Sequence, residues 1–251
     1  MPRRASDLAN VLKGAGLVVH EEAGWQDRGR DMTAIRGIVQ HHTATSRRTP
    51  DANVVRVLRD GRSGLRGPLS QLGLNRQGEW YVIAAGRSNH AGRGDWPGLD
   101  GNDDCLGIEA FHVGTGEETW PQVQLDSWDV GTAALCVKYD IDPSQFVIAH
   151  REWTSRKIDP YALNMASHRN RVDSLTKDTD MTPEQSQKLD IILDRVSKSN
   201  SALGRMERVH GQGLSGLSPT EDIDVDDLAA ALSEQLGADI AHELGRRLTG
   251  A

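Results

Sequence analysis

The chain is 251 residues long with a formal net charge of −7 at pH 7, enough length for one well-buried domain plus an appendage. The acidic balance leaves no basic stripe to displace counterions from phosphates, which argues against a nucleic-acid partner. No stretch is apolar for long enough to span a membrane, and Met1-Pro2-Arg3-Arg4 opens no signal peptide, because Asp7 and Lys13 break up the next residues and the apolar run 15–19 is too short.

In chain order, Leu8, Val11 and Leu12 stand at helical spacing and Gly14-Ala15-Gly16 closes the run, so the chain should open with a short amphipathic helix. A polar segment continues through Trp25, and residues 1–30 are expected to form an N-terminal segment packed on the next domain. Between 31 and 175, strand-like runs at 35–41, 69–75, 79–85, 105–112 and 146–149 alternate with helical ones at 51–60, 122–139 and 166–175. That alternation predicts an α/β fold, a mixed central β-sheet covered by helices on both faces. Cys105 and Cys136 sit in apolar contexts with no CxxC partner, which favours reduced core residues over a disulfide.

The character changes in 176–251, expected to be a C-terminal helical extension. Thr182-Pro183-Glu184-Gln185 reads as a capping box with proline at the first helical position. Leu189, Ile192, Val196, Ser199, Leu203 and Met206 then alternate spacings of three and four, a heptad seam that predicts a coiled coil over 182–209 with one polar lapse. A homo-oligomer through that helix is the expectation, with an intrachain bundle as the fallback. Over 224–248, Asp224, Asp226 and Asp227 at the start and Arg246 and Arg247 near the end suit the helix macrodipole, and Gly237 divides this acidic stretch into two helices. With 12 acidic and 7 basic side chains over 181–251 and no aromatic cluster, the extension repels anionic polymers and offers no grip for sugars.

The chemistry gathers in three separated pieces: His41-His42-Thr43-Ala44-Thr45, Gly107-Ile108-Glu109-Ala110, and His150-Arg151-Glu152 running on to Lys157-Ile158-Asp159-Pro160. His41 and His150 each close an apolar run, so each should stand at the carboxyl end of a buried strand, where ligand sites in α/β sheets gather. Asp159 lies on the loop leaving the second strand and can return to the same point. Two imidazoles and one carboxylate leave one position open on a tetrahedral zinc ion, as in a catalytic rather than a closed structural site.

These pieces resemble the zinc-dependent N-acetylmuramoyl-L-alanine amidases, the family that includes phage endolysins, bacterial muropeptide amidases and animal peptidoglycan recognition proteins. The likeness covers about 30–165 and includes the His-His-Thr-Ala strand end, Asn89-His90-Ala91-Gly92, the Gly-Ile-Glu strand and the spacing from His150 to Asp159-Pro160. The runs Tyr81-Val82-Ile83-Ala84-Ala85-Gly86-Arg87 and Gly67-Pro68-Leu69-Ser70-Gln71 look most like lysins of actinobacterial phages. The resemblance implies the peptidoglycan-recognition-protein-like amidase fold, a zinc cofactor held by His41, His150 and Asp159, and peptidoglycan as the partner. One departure stands out: some phage amidases carry a catalytic tyrosine where this chain has Ser70, whereas the branch without it uses the glutamate present here as Glu109.

Role by role, Glu109 is a charge in an apolar strand, costly unless paired or used. It is either a structural carboxylate paired with Arg151 or a general base raised by burial, and the base is favoured. Lys157, near a ligand, would stabilise an oxyanion. His42 points to the opposite side of its strand from His41 and is assigned a supporting or structural role behind the ligands, and Glu152 is expected to orient His150. His90 and Asn89 are assigned to substrate at the cleft rim, a satisfied structural histidine being the other reading of His90. Trp96, with Trp80, Trp120 and Trp153, is a candidate for stacking on sugar or peptide, although core packing is the commoner use of any one tryptophan. His112 receives no role.

The expected reaction is cleavage of the amide between N-acetylmuramic acid and L-alanine by zinc-activated water, with Glu109 and Lys157 as catalytic groups. Without an export signal, such an enzyme would wait in the host cytoplasm and reach the wall after membrane permeabilisation, as the likeness to phage lysins implies. The alternatives are a non-catalytic peptidoglycan-binding module, against which both Asp159 and Glu109 argue, and a cytoplasmic muropeptide-recycling amidase.

Overall fold

The apolar runs of the chain become one six-stranded sheet in a computed structural model that describes residues 3–177. In order come helix α1 (Leu8–Gly14), strands β1 (Val19–Glu21) and β2 (Gly37–His42), helix α2 (Asp51–Asp60), the two-residue strands β3 (Gly61–Arg62) and β4 (Leu65–Arg66), and strands β5 (Leu72–Leu74) and β6 (Trp80–Val82). A 3-10 turn at Gly101–Asp103 leads into β7 (Cys105–Ala110), then α3 (Gln122–Tyr139), α4 (Pro143–Phe146), β8 (Val147–Ala149), α5 (His150–Trp153) and α6 (Met165–Lys177). The sheet order is β1-β6-β5-β7-β2-β8, with β5 and β6 antiparallel and every other neighbouring pair parallel. The fold is therefore a mixed α/β sheet, as the alternation of strand-like and helical runs predicts. All described residues lie in one unit, Met1–Thr182.

Period-two alternation divides the side chains between two faces. Ile38 of β2, Leu106, Ile108 and Ala110 of β7, and Val147 and Ala149 of β8 pack into the larger core with Leu8 and Leu12 of α1, Trp128 and Leu135 of α3 and Val172 of α6. Val39, Cys105 and Ile148 turn the other way, onto Ala91 and Trp153. On that second side Val54, Val55 and Leu58 of α2 also pack on Ile83 and Phe111. Gly73 of β5 keeps this contact close, since a methyl group there would stand 3.2 Å from the Leu58 Cδ1. Helices thus cover both faces, but α2 covers the second only in part, and His41 shares that face.

The first face also buries a polar network. Gln40 of β2 accepts from Trp128 Nε1 at 2.7 Å and donates to Thr132 Oγ1 and His168 Nε2, each at 3.3 Å. His168 in turn donates from Nδ1 to Asp129, which Arg171 also reaches. Every member has a partner, so burial leaves no orphaned donor.

The structure differs from the sequence expectation in the small elements. β1 is three residues of mostly polar edge strand, where a polar segment is expected, because it buries too little to show alternation. The β3–β4 hairpin also escapes a pattern search. Gly64 in its turn and Gly61 in β3 are both at positive φ, and Gly61 has no room for a Cβ beside the Leu65 carbonyl. The expected coiled coil at 182–209, the expected acidic helices at 224–248 and nearly all of the extension 176–251 lie outside the described residues. Among the described residues no helix is long and apolar enough to cross a membrane.

Candidate metal centre

Strand register brings the three sequence pieces together. His41 lies directly opposite Glu109 in the parallel β2–β7 pair, so the two side chains leave the sheet on the same face. His150 comes directly after β8 as the first residue of α5, in phase with Ile148 on that face. Asp159 returns because its loop is laced to both strand ends. The Arg151 N–H donates to the Asp159 carbonyl at 2.9 Å, and the Arg151 guanidinium reaches the carbonyls of Pro160 and Leu163. The Tyr161 N–H donates to His42 Nδ1 at 2.9 Å, and Trp120 Nε1 donates to the Tyr161 carbonyl at 2.8 Å.

The result is a convergence of ligand atoms. His41 Nδ1 lies 2.9 Å from His150 Nδ1 and 3.0 Å from Asp159 Oδ2, and His150 Nδ1 lies 2.9 Å from the same oxygen. All three residues are buried, and among the described residues they form the one group of three or more His, Cys, Asp or Glu able to hold a metal ion. The far nitrogen of each imidazole is occupied elsewhere: His150 Nε2 by the Ala91 carbonyl at 2.9 Å, His41 Nε2 by His90 Nδ1 at 3.1 Å. The inner atoms therefore face one another as lone pairs beside a carboxylate, a set that fits zinc and needs a positive charge at its centre.

The electrostatics agree with that fit. Burial pushes the His41 imidazole down to about 4 against the pull of Asp159, so the ring is neutral at pH 7. Neutral imidazoles and an ionised carboxylate are the forms that bind a divalent cation. Glu109 behaves in the opposite way: burial, then the nearby Asp159 charge, push its carboxyl up to about 8 against the Lys157 cation. Its Oε2 is enclosed without a hydrogen-bond partner. Lys157 itself is exposed on the loop before Asp159.

The remaining expected site residues fall in varied places. Glu109 is not paired with Arg151, whose guanidinium is taken by the Pro160 and Leu163 carbonyls. Glu152 accepts from the Ala149 N–H at 2.8 Å and forms a two-pronged ion pair with Arg169 at 2.9 and 3.0 Å, so it fixes the turn that carries His150. His42 serves the Asp159 loop through Tyr161. His90 is buried, with its ring between His41 and the Cys105 carbonyl. The Asn89 amide spans the Arg66 carbonyl and the Arg87 guanidinium. Trp96 packs beside Val39 and Ile148 and donates to the Gln145 carbonyl, while Trp80 and Trp153 are buried and Trp120 is partly buried, stacked on His112. Ser70 is fully buried with an unpartnered hydroxyl. Sequence reasoning did not find Arg169, Tyr161 or the Ala91 carbonyl, because they act through contacts far apart in the chain or through backbone atoms, which leave no residue signature.

The pattern of the Amidase_2 family, N-acetylmuramoyl-L-alanine amidase, matches residues 31–162. No curated protein matches the chain. Among solved structures, the chain is similar to the endolysin N-acetylmuramoyl-L-alanine amidase LysCS from Clostridium intestinale URNW, at 20% identity and a TM-score of 0.45, over 62% of this chain and 95% of that one. A mutant endolysin from Bacillus subtilis is similar at 18% identity and a TM-score of 0.47, over 62% of this chain and 99% of that one. The N-acetylmuramyl-L-alanine amidase AmiD from E. coli, solved with anhydro-N-acetylmuramic acid-L-Ala-D-gamma-Glu-L-Lys, is similar at 20% identity and a TM-score of 0.45, over 55% of this chain and 58% of that one.

Proposed function

The chain belongs to the N-acetylmuramoyl-L-alanine amidase family, and from that premise we propose that it is a zinc-dependent peptidoglycan hydrolase of the endolysin type, cutting the amide between N-acetylmuramic acid and L-alanine. The observation that carries this reading is the meeting of His41 Nδ1, His150 Nδ1 and Asp159 Oδ2 within about 3 Å of one another, on the face that Glu109 shares. In this reading residues 31–175 are the catalytic domain, with 1–30 packed on it.

His41, His150 and Asp159 would hold the metal, and a zinc ion there supplies a Lewis acid that acidifies water and polarises a carbonyl. Glu109 does the proton work. Burial raises its proton affinity, so its carboxylate form takes a proton from attacking water and returns it to the departing L-alanine nitrogen, and its unpartnered Oε2 has no competing hydrogen bond to give up. The Lys157 cation, close enough to act on both Glu109 and His41, offsets the negative charge that develops on the carbonyl oxygen. Glu152 is a poor alternative base, since Arg169 and the Ala149 N–H hold it as a carboxylate below its usual range despite its burial.

Mass spectrometry of digested peptidoglycan tests the proposal. New L-alanine amino termini with intact glycan strands are the expected products, and new reducing sugars would overturn it. Digestion of intact sacculi in preference to soluble anhydromuropeptides is expected of an endolysin, whereas the reverse preference would identify a recycling amidase.

A further inference from the structure

The phrase Asn89-His90-Ala91-Gly92 supplies the outer partner of both clustered histidines. His90 Nε2 lies 3.1 Å from the Cys105 carbonyl oxygen, which can only accept, so Nε2 carries the ring proton and Nδ1 is a lone pair. That lone pair faces His41 Nε2 at 3.1 Å and requires the proton to be there. One residue on, the Ala91 carbonyl faces His150 Nε2 at 2.9 Å and requires a proton there too. The partners set these proton positions, and both rings are left with bare Nδ1 atoms turned toward Asp159.

Two further features hold the phrase in place. The Asn102 Oδ1 accepts both the His90 N–H, at 3.0 Å, and the Ala91 N–H, at 2.8 Å, so one side chain pins the two peptide units on either side of His90, immediately before the Ala91 carbonyl. Gly107, the first residue of Gly-Ile-Glu, makes room for the ring: a methyl group there would stand 2.6 Å from the His90 Cγ. The glycine is explained by the histidine, and two motifs distant in sequence become one contact.

We propose that the His90-Ala91 turn, pinned by Asn102 and accommodated by Gly107, is a positioning device that makes His41 and His150 Nδ1 ligands by holding their protons at Nε2. His90 and Asn102 are then positioning residues that act through the ligands and not on the substrate. The inference rests on the metal site proposed above and extends it to what sets ligand geometry. Partners of this kind raise ligand basicity and lower the entropy lost on binding, and removing one typically costs about 10–100-fold in metal affinity.

Histidine ring-nitrogen NMR of the full chain, metal-free and then zinc-loaded, reads the device directly. Protonated Nε2 in both His41 and His150 before zinc, and coordination through Nδ1 after it, are expected. A bare Nε2 in either ring of the metal-free protein, or coordination through Nε2, would overturn the inference. Failure to bind zinc would instead overturn the metal reading, and the metal-free spectrum would still report the tautomers. Two variants carry the second arm: Asn102→Ala, and Gly107→Ala, which removes no polar atom. Each should lower zinc affinity, measured by chelator competition, at least tenfold while near-ultraviolet circular dichroism stays close to wild type. Wild-type affinity in both folded variants would overturn the role. If either variant fails to fold, the wild-type spectra decide.

Discussion

The two faces of strand β2 bury similar residues to opposite ends. On the helix-covered face, His168 and Asp129 form a buried imidazole–carboxylate pair in which each group is satisfied, with Arg171 on Asp129 and Gln40 on the far ring nitrogen. On the cleft face, His41 and His150 surround Asp159 with inner nitrogens that face one another, and Glu109 adds a carboxyl oxygen with no partner. Composition does not separate these sites, since both are histidine, aspartate and a nearby cation. Satisfaction does: a closed network stabilises one conformation, whereas converging lone pairs and an orphaned oxygen wait for a ligand.

The sharpest way to break that comparison is to remove one inner nitrogen. His150→Ala should abolish zinc binding near stoichiometry and lower lytic activity by roughly three orders of magnitude or more, and chelation of the wild type should do the same. Metal analysis alongside a turbidity assay on cell walls checks both effects. Full activity in metal-free protein would remove the distinction between the faces.

Glu109→Gln comes next. The amide keeps the shape but takes no proton at neutral pH, so turnover should fall by about two to four orders of magnitude while zinc content stays near wild type. Glu152→Gln should cost far less in turnover, because that carboxylate holds Arg169 and a backbone N–H rather than facing the cleft. A reversal of these two results would assign proton transfer to Glu152.

The covered face should fail in a different quantity. His168→Leu leaves Gln40 and Asp129 each short of a buried partner, which should cost roughly 2–3 kcal/mol of folding stability, measured by denaturant unfolding. Zinc affinity per folded molecule should stay within about twofold. A large loss of zinc affinity with little loss of stability would mean that the two faces are coupled through β2.

Much of this arrangement was legible in the sequence, and the parts that were not share a cause. The strands that carry His41 and Glu109 and the one that leads into His150 were visible because burial on both faces demands unbroken apolar runs. The His41, His150 and Asp159 group, which could hold a metal ion, was readable from residue type and from position near strand ends. What stayed hidden was the use made of backbone groups and of contacts distant in sequence. Nothing local shows that the His90 ring turns onto His41, and the need for Gly107 is visible only when that ring is in place. Edge strand β1 and the β3–β4 hairpin were missed because they are too short to develop a period.

The last expected effect is a pH dependence, and its sign is fixed. The Glu109 carboxyl rises from its usual value near 4.5 to about 8 on folding, so between those values the folded protein binds more protons than the unfolded chain. Stability from this group is complete below pH 4.5 and is lost as pH rises toward 8. The His41 imidazole slopes the other way: lowered from 6.5 to about 4, it adds stability as pH climbs through that interval and is flat above it. Opposed slopes would blur a wild-type profile in acid, so the informative quantity is the difference in unfolding free energy between metal-free wild type and Glu109→Gln. His41 largely cancels in that difference. The difference should move against the wild type from about pH 5 to pH 8 and level off beyond, with the interval from 6.5 to 8 owing to Glu109 alone among these two groups. A difference that stays flat would mean Glu109 ionises on folding as it does in water, and would remove the ground for treating it as a base tuned by burial.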